Sequence, residues 1–325
     1  MTHNHAGGIS PALVESISGL TAGSVATLVV HPLDIVKTRM QLHRSSAPTS
    51  ASLTTISLMR SLVQTPQPLR ALYRGLTPNL VGNASSWASF FFFKARAESA
   101  IRGLKSQPGA PLSSTDYFAA ASLAGAGVQV MTNPIWVLKV RMLSSDRGAV
   151  GAYPSMWAGA VQLLRTEGIK GFYRGLGISL IGTSHGAVQF AVYEPAKRLY
   201  FARRIRREEE GLAEPSQGPL KLSNAATVLL SSAAKMVAGA ATYPYQVIRS
   251  RLQNFNADEN YGRGIRGVVR RTWQHEGVRG FYRGMIPGVV RVMPATWVTF
   301  LVYENMKFYL PQWASSDGVG PEQAV

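Results

Sequence analysis

The chain has 325 residues, no cysteine and a formal net charge of +17; 46% of its residues are hydrophobic and 16% are charged, where soluble domains carry roughly a quarter. Absence of cysteine excludes disulfides and thiol chemistry. The excess of Lys and Arg suits an anionic small molecule or anionic lipid headgroups, and argues against nucleic acid because the bases gather at the ends of apolar runs.

Along the chain, the opening "MTHNHAGGIS" has neither a basic n-region nor an apolar h-region, so no cleavable secretory signal is expected; residues 1–9 are expected to be disordered. Uncharged runs follow at 16–33, 75–93, 117–138, 175–193, 222–234 and 292–303. Most are long enough, or nearly so, to cross a hydrocarbon core of about 30 Å. This pattern predicts a polytopic all-α membrane protein with six spans, because backbone polar groups in a bilayer must be satisfied internally. The runs are rich in Gly, Ala, Ser and Thr, which lets helices approach closely and leaves hydroxyls for a wet interior. The stretches 203–218 and 311–325 read as solvated connection and tail.

Self-similarity sets the organisation. "HPLDIVKTRMQ" at 31–41 returns as "NPIWVLKVRML" at 133–143 and "YPYQVIRSRLQ" at 243–253. Each copy leads through a polar loop and an amphipathic stretch to "LYRGL", "GFYRGL" or "GFYRGM", and then to a second span. The unit is span, surface helix, span, and it predicts repeats at 10–104, 112–207 and 219–312 with a tail at 313–325. Two spans per unit cannot cover their polar sides alone, so the three units are expected to enclose a central cavity. Pro32, Pro134 and Pro244 are each expected to kink an odd-numbered helix near one membrane surface. Positions i and i+3 share a helix face, so Asp34 and Lys37 are expected to point toward the shared axis.

The triplicated Pro-x-[Asp/Glu]-x-x-[Lys/Arg]-x-[Lys/Arg] pattern resembles the mitochondrial carrier family, over roughly residues 10–312. Within it, "LIGTSHGAVQFAVYE" (180–194), "ATYPYQVIRSRLQ" (241–253) and "SSWASFFFFK" (85–94) resemble the FAD/folate carrier group. The resemblance implies an inner-membrane, multi-pass carrier working as a single chain, with a charged ring that closes the cavity on the matrix side. The acid positions of that ring read Asp34, Trp136 and Gln246, and the base positions Lys37, Lys139 and Arg249. Family pairing leaves Asp34–Lys139 as the full ion pair, with Gln246 beside Lys37 and Trp136 packed on Arg249. Gln41 and Gln253 fall where the family braces a pair from below, and Leu143 cannot do so. A second, cytoplasmic-side motif matches Glu194/Lys197 and Glu304/Lys307, with Glu194–Lys307 as its complete pair; repeat one has Lys94 and Ala97 there. Gly75, Gly175 and Gly284, after each Tyr-Arg, stand where the family holds cardiolipin, since helix-start amides bind phosphate; a tight turn requires the same glycines.

A cargo without threefold symmetry must be recognised where the repeats differ. Nine residues before each motif proline stand Gly23, Gly125 and Lys235, and a lysine at mid-span is costly unless it faces water or a counter-charge. At a second level stand Val81, Ile181 and Arg291, so Arg291 is the other lone cation. Lys235 and Arg291 suit an anion, the guanidinium gripping it in bidentate fashion. Trp87 and Trp136 offer indole faces to a flat heteroaromatic ring, and Asn83, Gly182, Thr183 and His185 complete the candidate contacts. No metal site is expected, for there is no HxxxH or HExxH spacing and no Cys. With no P-loop, dinucleotide fingerprint or nucleophile elbow, an enzyme is not expected either. FAD is the expected cargo and folate the second. NAD or a pyrimidine nucleotide, and a carrier-like membrane scaffold that no longer transports, are the alternatives.

Overall fold

The computed structural model describes residues 11–43, 54–105, 112–146, 148–149, 151–210 and 223–316. The expectations for residues 1–9 and for the end of the tail, 317–325, lie outside them. Every regular element among the described residues is an α-helix.

Repeat one supplies α1 (Pro11–Leu42), α2 (Thr55–Val63), α3 (Pro68–Leu72) and α4 (Leu76–Gly103). Repeat two supplies α5 (Ser114–Ser144), α6 (Met156–Phe172), α7 (Leu176–Gly182) and α8 (His185–Glu209). Repeat three supplies α9 (Asn224–Ala241), α10 (Tyr243–Gln253), α11 (Ala257–Tyr261), α12 (Gly264–Gly280), α13 (Met285–Val290) and α14 (Val292–Ser316). The helices α2 and α6 begin on side-chain caps that satisfy exposed amides, whereas α3, α7, α10, α11 and α12 do not. Thr54 and Ser57 form a capping box on α2, and Ser155 accepts from the Ala158 amide on α6.

Two described helices, Leu13–Leu42 and Met285–Gln312, are both long and apolar enough to cross a bilayer. The helices α4, α5 and α8 have 28, 31 and 25 residues, but Gly, Ser, Thr, Asn and charged residues dilute their apolar runs.

The chain divides into two compact units, one of Met1–Ser89, Thr132–Tyr173 and Ile286–Val325, the other of Phe90–Met131 and Arg174–Met285. In the first, α1 packs along α14, and Ile35, Val36, Leu62 and Leu143 form a buried cluster. Each such aliphatic side chain contributes about 1.5–3 kcal/mol through burial. In the second, α8 packs on α9, and α10 packs on α7, α11 and α12.

The prolines behave unequally. Pro32 and Pro134 lie inside unbroken helices, whereas at Pro244 the helix is cut into α9 and α10. Proline lacks an N–H and its ring crowds the carbonyl four residues back. Here Thr242 already bonds Ala238 O through both its amide and its hydroxyl, so α9 terminates and α10 starts afresh. The second long helix is unbroken in repeat one but breaks in the other two. Repeat three breaks at Arg291, three residues before Pro294, and repeat two breaks at Thr183–Ser184 between Gly182 and Gly186. The stretch 203–218 is corrected in part: α8 continues to Glu209, with no Gly or Pro to stop it and an Arg206–Glu210 i,i+4 pair at 2.7 Å. Residues 211–222 lie outside the description. The tail is likewise helical through Ser316.

The residue before each proline ties its repeat together. His31 Nε2–H donates to Arg74 O (2.9 Å), Asn133 Nδ2 to Phe172 O (2.8 Å) and the Tyr243 hydroxyl to Arg283 O (3.1 Å). Arg74 is itself buried and donates to Met142 O (2.7 Å), Ser145 Oγ and Tyr153 O (both 3.3 Å), so it caps the end of α5.

Gly75, Gly175 and Gly284 all have positive φ, at 72°, 74° and 80°, as a tight turn into the even helices requires. A Cβ on Gly75 would lie 2.3 Å from Leu143 Cδ1. Gly75→Ala is therefore expected to destabilise the fold, through left-handed strain of about 1–2 kcal/mol and overpacking of about 1–3 kcal/mol. Thermal unfolding in detergent checks it against Gly103→Ala, where no atom lies within 4 Å of the added methyl.

Candidate gate and substrate residues

In the first unit, Asp34 is the centre of a polar network. Its carboxylate is buried, with Lys139 Nζ 3.7 Å from Oδ2, as the expected pair requires. Two residues that motif reading passed over complete the arrangement. Lys139 donates to Asn79 Oδ1 (2.8 Å), and Asn79 Nδ2 donates to Asp34 Oδ2 (3.2 Å) and to His31 Nδ1 (3.1 Å). With Nε2–H given to Arg74 O, His31 is held as one neutral tautomer. The signal for Asn79 was available in the sequence: four residues after the turn glycine the repeats read Asn79, Ser179 and Gly288, a difference as large as those that singled out Lys235.

Arg291, the one cation at its level of the three repeats, has a counter-charge: its guanidinium Nη1 donates to Asp34 Oδ1, on the carboxylate edge opposite Lys139. The cation that lies over the Trp136 ring is Lys139, 4.9 Å from the centroid. The indole N–H of Trp136 donates to Thr132 Oγ1 at 3.2 Å. Asn83 donates to Thr27 Oγ1 (3.2 Å), which passes its own proton to Gly23 O. Trp87 is 66% exposed on α4. Lys37 is half-buried, and Gln41 is buried. Lys307 pairs with Glu15 of α1 at 3.1 Å, while Glu304 is exposed.

The second unit holds the remaining candidates. Thr242 gives its hydroxyl proton to Ala238 O, so it accepts from His185 Nδ1–H at 2.8 Å, leaving His185 Nε2 as an acceptor. Lys235 is exposed, three and seven residues before Ala238 and Thr242 and so on their helix face. Ile181 and Thr183 are exposed at the α7–α8 break, and Gly182 lets Tyr245 approach, since a Cβ there would lie 2.5 Å from its ring. Arg249 and Gln246 are half-buried on α10, Gln253 is buried, Lys197 is half-exposed and Glu194 is exposed.

Below the gate residues, each second motif base in repeats two and three is fully buried and paired. Arg141 reaches Glu167 (2.5 Å) and Tyr153 Oη (3.1 Å); Arg251 reaches Glu276 (2.8 Å) and Thr272 Oγ1 (2.7 Å). Repeat one lacks the glutamate, and Arg39 turns to Asp146 (2.6 Å) and Leu143 O. Beside Gly75, the starts of α4 and α6 border a cleft of about 880 Å³ lined by Arg70, Tyr73, Thr77, Ser155 and Trp157, among others.

The sequence matches a family model described as Mitochondrial carrier protein at residues 10–103, 110–204 and 220–312. It is 38% identical over 315 residues to the Mitochondrial FAD carrier protein FLX1 of Saccharomyces cerevisiae, covering 93% of this chain and 98% of that protein. It is 33% identical over 309 residues to Folate transporter 1, chloroplastic, of Arabidopsis thaliana, covering 92% and 96%. Nicotinamide adenine dinucleotide transporter 2, mitochondrial, of the same plant is 33% identical over 303 residues, covering 91% and 79%. Three motif copies, three matched segments and a helical fold that keeps the Asp34–Lys139 pair lead to one conclusion: the chain belongs to the mitochondrial carrier family.

Proposed function

We propose that this chain is a transporter and not an enzyme, carrying FAD across the mitochondrial inner membrane on six helical spans by alternating access. The observation that carries this reading is the 38% identity with a FAD carrier over 93% of the chain. Chemistry supports it. FAD presents a pyrophosphate and two flat ring systems; in this reading Lys235 and Arg291 hold the negative groups and Trp87 and Trp136 meet the rings. Asn83, Thr183 and His185 supply polar contacts, and Ile181 and Gly182 shape the wall. The set of Asp34, Lys37, Lys139, Gln246 and Arg249, braced by Gln41 and Gln253, is the matrix gate. Glu194, Lys197, Glu304 and Lys307 form the cytoplasmic one, with Lys307 exchanging Glu15 for Glu194 as it closes. The protein acts as a monomer, with lipid phosphates resting at the helix starts behind Gly75, Gly175 and Gly284.

Liposomes reconstituted with the full chain are expected to take up labelled FAD saturably. No uptake of FAD, FMN or folate overturns the cargo. NAD is the second reading, favoured by the 33% identity to a dinucleotide transporter. A thermal-shift competition among FAD, folate and NAD separates the two, the transported ligand giving the largest stabilisation.

A further inference from the structure

We infer that Asp34 is the counter-ion the cargo must displace from Arg291, so that a single carboxylate reports occupancy to the gate. The inference rests on the reading of Arg291 as a cargo contact and adds to it a positioning residue, Asp34, that acts through the guanidinium.

The geometry divides the carboxylate between two partners. Arg291 occupies Oδ1, and Lys139 and Asn79 occupy Oδ2. Exposure is unequal: the Asp34 side chain is 7% exposed and that of Arg291 is 35% exposed. An incoming anion therefore meets the guanidinium before it can approach the carboxylate. A guanidinium has five N–H donors in a rigid fork, so Arg291 can bond Asp34 and still offer donors on its open edge. It sits at the break between α13 and α14, its amide donating to Pro287 O and its carbonyl accepting from the Ala295 amide, so the exchange of partners is a movement of the side chain. Val81 and Ile181, at the same level of the other repeats, carry no charge, so helix packing at this level does not itself demand an ion pair.

An anion on that open edge brings negative charge toward Asp34. One cation cannot neutralise both, and the covered carboxylate keeps Lys139. Arg291 is the partner that transfers. Asp34 then keeps Lys139 and Asn79, and loses its link to Arg291. A ligand shifts a conformational equilibrium only by its differential affinity for the two states, and this exchange of partners supplies the difference. It also favours a cargo with concentrated negative charge, such as a pyrophosphate, over a single carboxylate.

Asp34→Asn removes the competitor. In reconstituted full-length protein it is expected to lower the KM for FAD by about tenfold, the scale of one charge-assisted hydrogen bond, while also lowering the maximal rate. Lys139→Gln, which leaves the Asp34 charge to Arg291 alone, is expected to raise KM. A carboxylate that merely braced the helices would move KM upward or not at all in both variants. An unchanged or raised KM in Asp34→Asn overturns the inference even where FAD transport itself stands.

A readout independent of cargo identity separates the two claims. Labelling of Arg291 by phenylglyoxal, followed by peptide mass spectrometry, is expected to speed up in Asp34→Asn and to slow in the wild type with sodium pyrophosphate. That result together with no FAD uptake sinks the FAD reading and leaves the counter-ion role standing. If Asp34→Asn fails to fold, the wild-type labelling decides: no protection by pyrophosphate overturns the role.

Discussion

Glu276→Ala is expected to cost about 3–5 kcal/mol of folding stability, because it strands a buried cation. Arg251 and Glu276 are 1% and 4% exposed and 2.8 Å apart, and Arg283 approaches the same carboxylate at 3.0 Å. Arg251 retains Thr272 Oγ1 and the face of Tyr261, neither of which carries compensating charge. Thermal or denaturant unfolding in detergent gives the test, and a loss below about 1 kcal/mol contradicts it. Glu167→Ala serves as the graded comparison: Glu167 is 24% exposed and Arg141 keeps the Tyr153 hydroxyl, so water and that hydroxyl soften the loss. Replacing both members, Arg251→Met with Glu276→Leu, is expected to recover most of the stability, since apolar pairs of similar volume replace buried ion pairs at little cost.

Lys235→Ala combined with Arg291→Ala is expected to reduce FAD uptake by at least about 100-fold, near the liposome background. A hydrogen bond to a charged group is worth about 1.5–3 kcal/mol, or roughly 10- to 150-fold for each residue. Lys235 is exposed and its removal leaves no buried partner. Removing Arg291 leaves Asp34 with Lys139 and Asn79, so the double variant should still fold and its unfolding midpoint should confirm it. Unchanged uptake in the double variant would remove the cations from the cargo site altogether.

The repeated unit, the helical class and the Asp34–Lys139 pair were legible because each depends on residue type at a fixed register. Arg291–Asp34 was not, since its partners stand 257 residues apart and meet only when α1 packs along α14. Lys139 lies over Trp136 because position i+3 shares its helix face, a local contact that the motif letters do not spell out. His31, Asn133 and Tyr243 share no chemical type, so a motif of conserved letters skips them, yet each donates to the backbone at or just before the start of its own repeat's even span. The helical extension over 203–209 was hidden by a charge-rich composition that also suits a loop; the i,i+4 pairing of Arg206 with Glu210 decides it. In the other direction, small and polar residues make α4 less apolar than α1, which weakens the span signal in repeat one.

Arg74 bears on how far the three repeats can be treated as interchangeable modules. Its carbonyl serves repeat one, through His31, while its side chain terminates the long helix of repeat two. The matching residues do something else: Arg174 reaches Asp258 and Arg283 reaches Glu276. A fragment cut after repeat one would lose the Met142, Ser145 and Tyr153 acceptors of this guanidinium, and a fragment beginning at repeat two would lose the side chain that caps the Met142 carbonyl. The ancestral duplication visible in the motifs has thus been welded at this seam, and shuffling or transplanting single repeats must carry Arg74 and its acceptors across together.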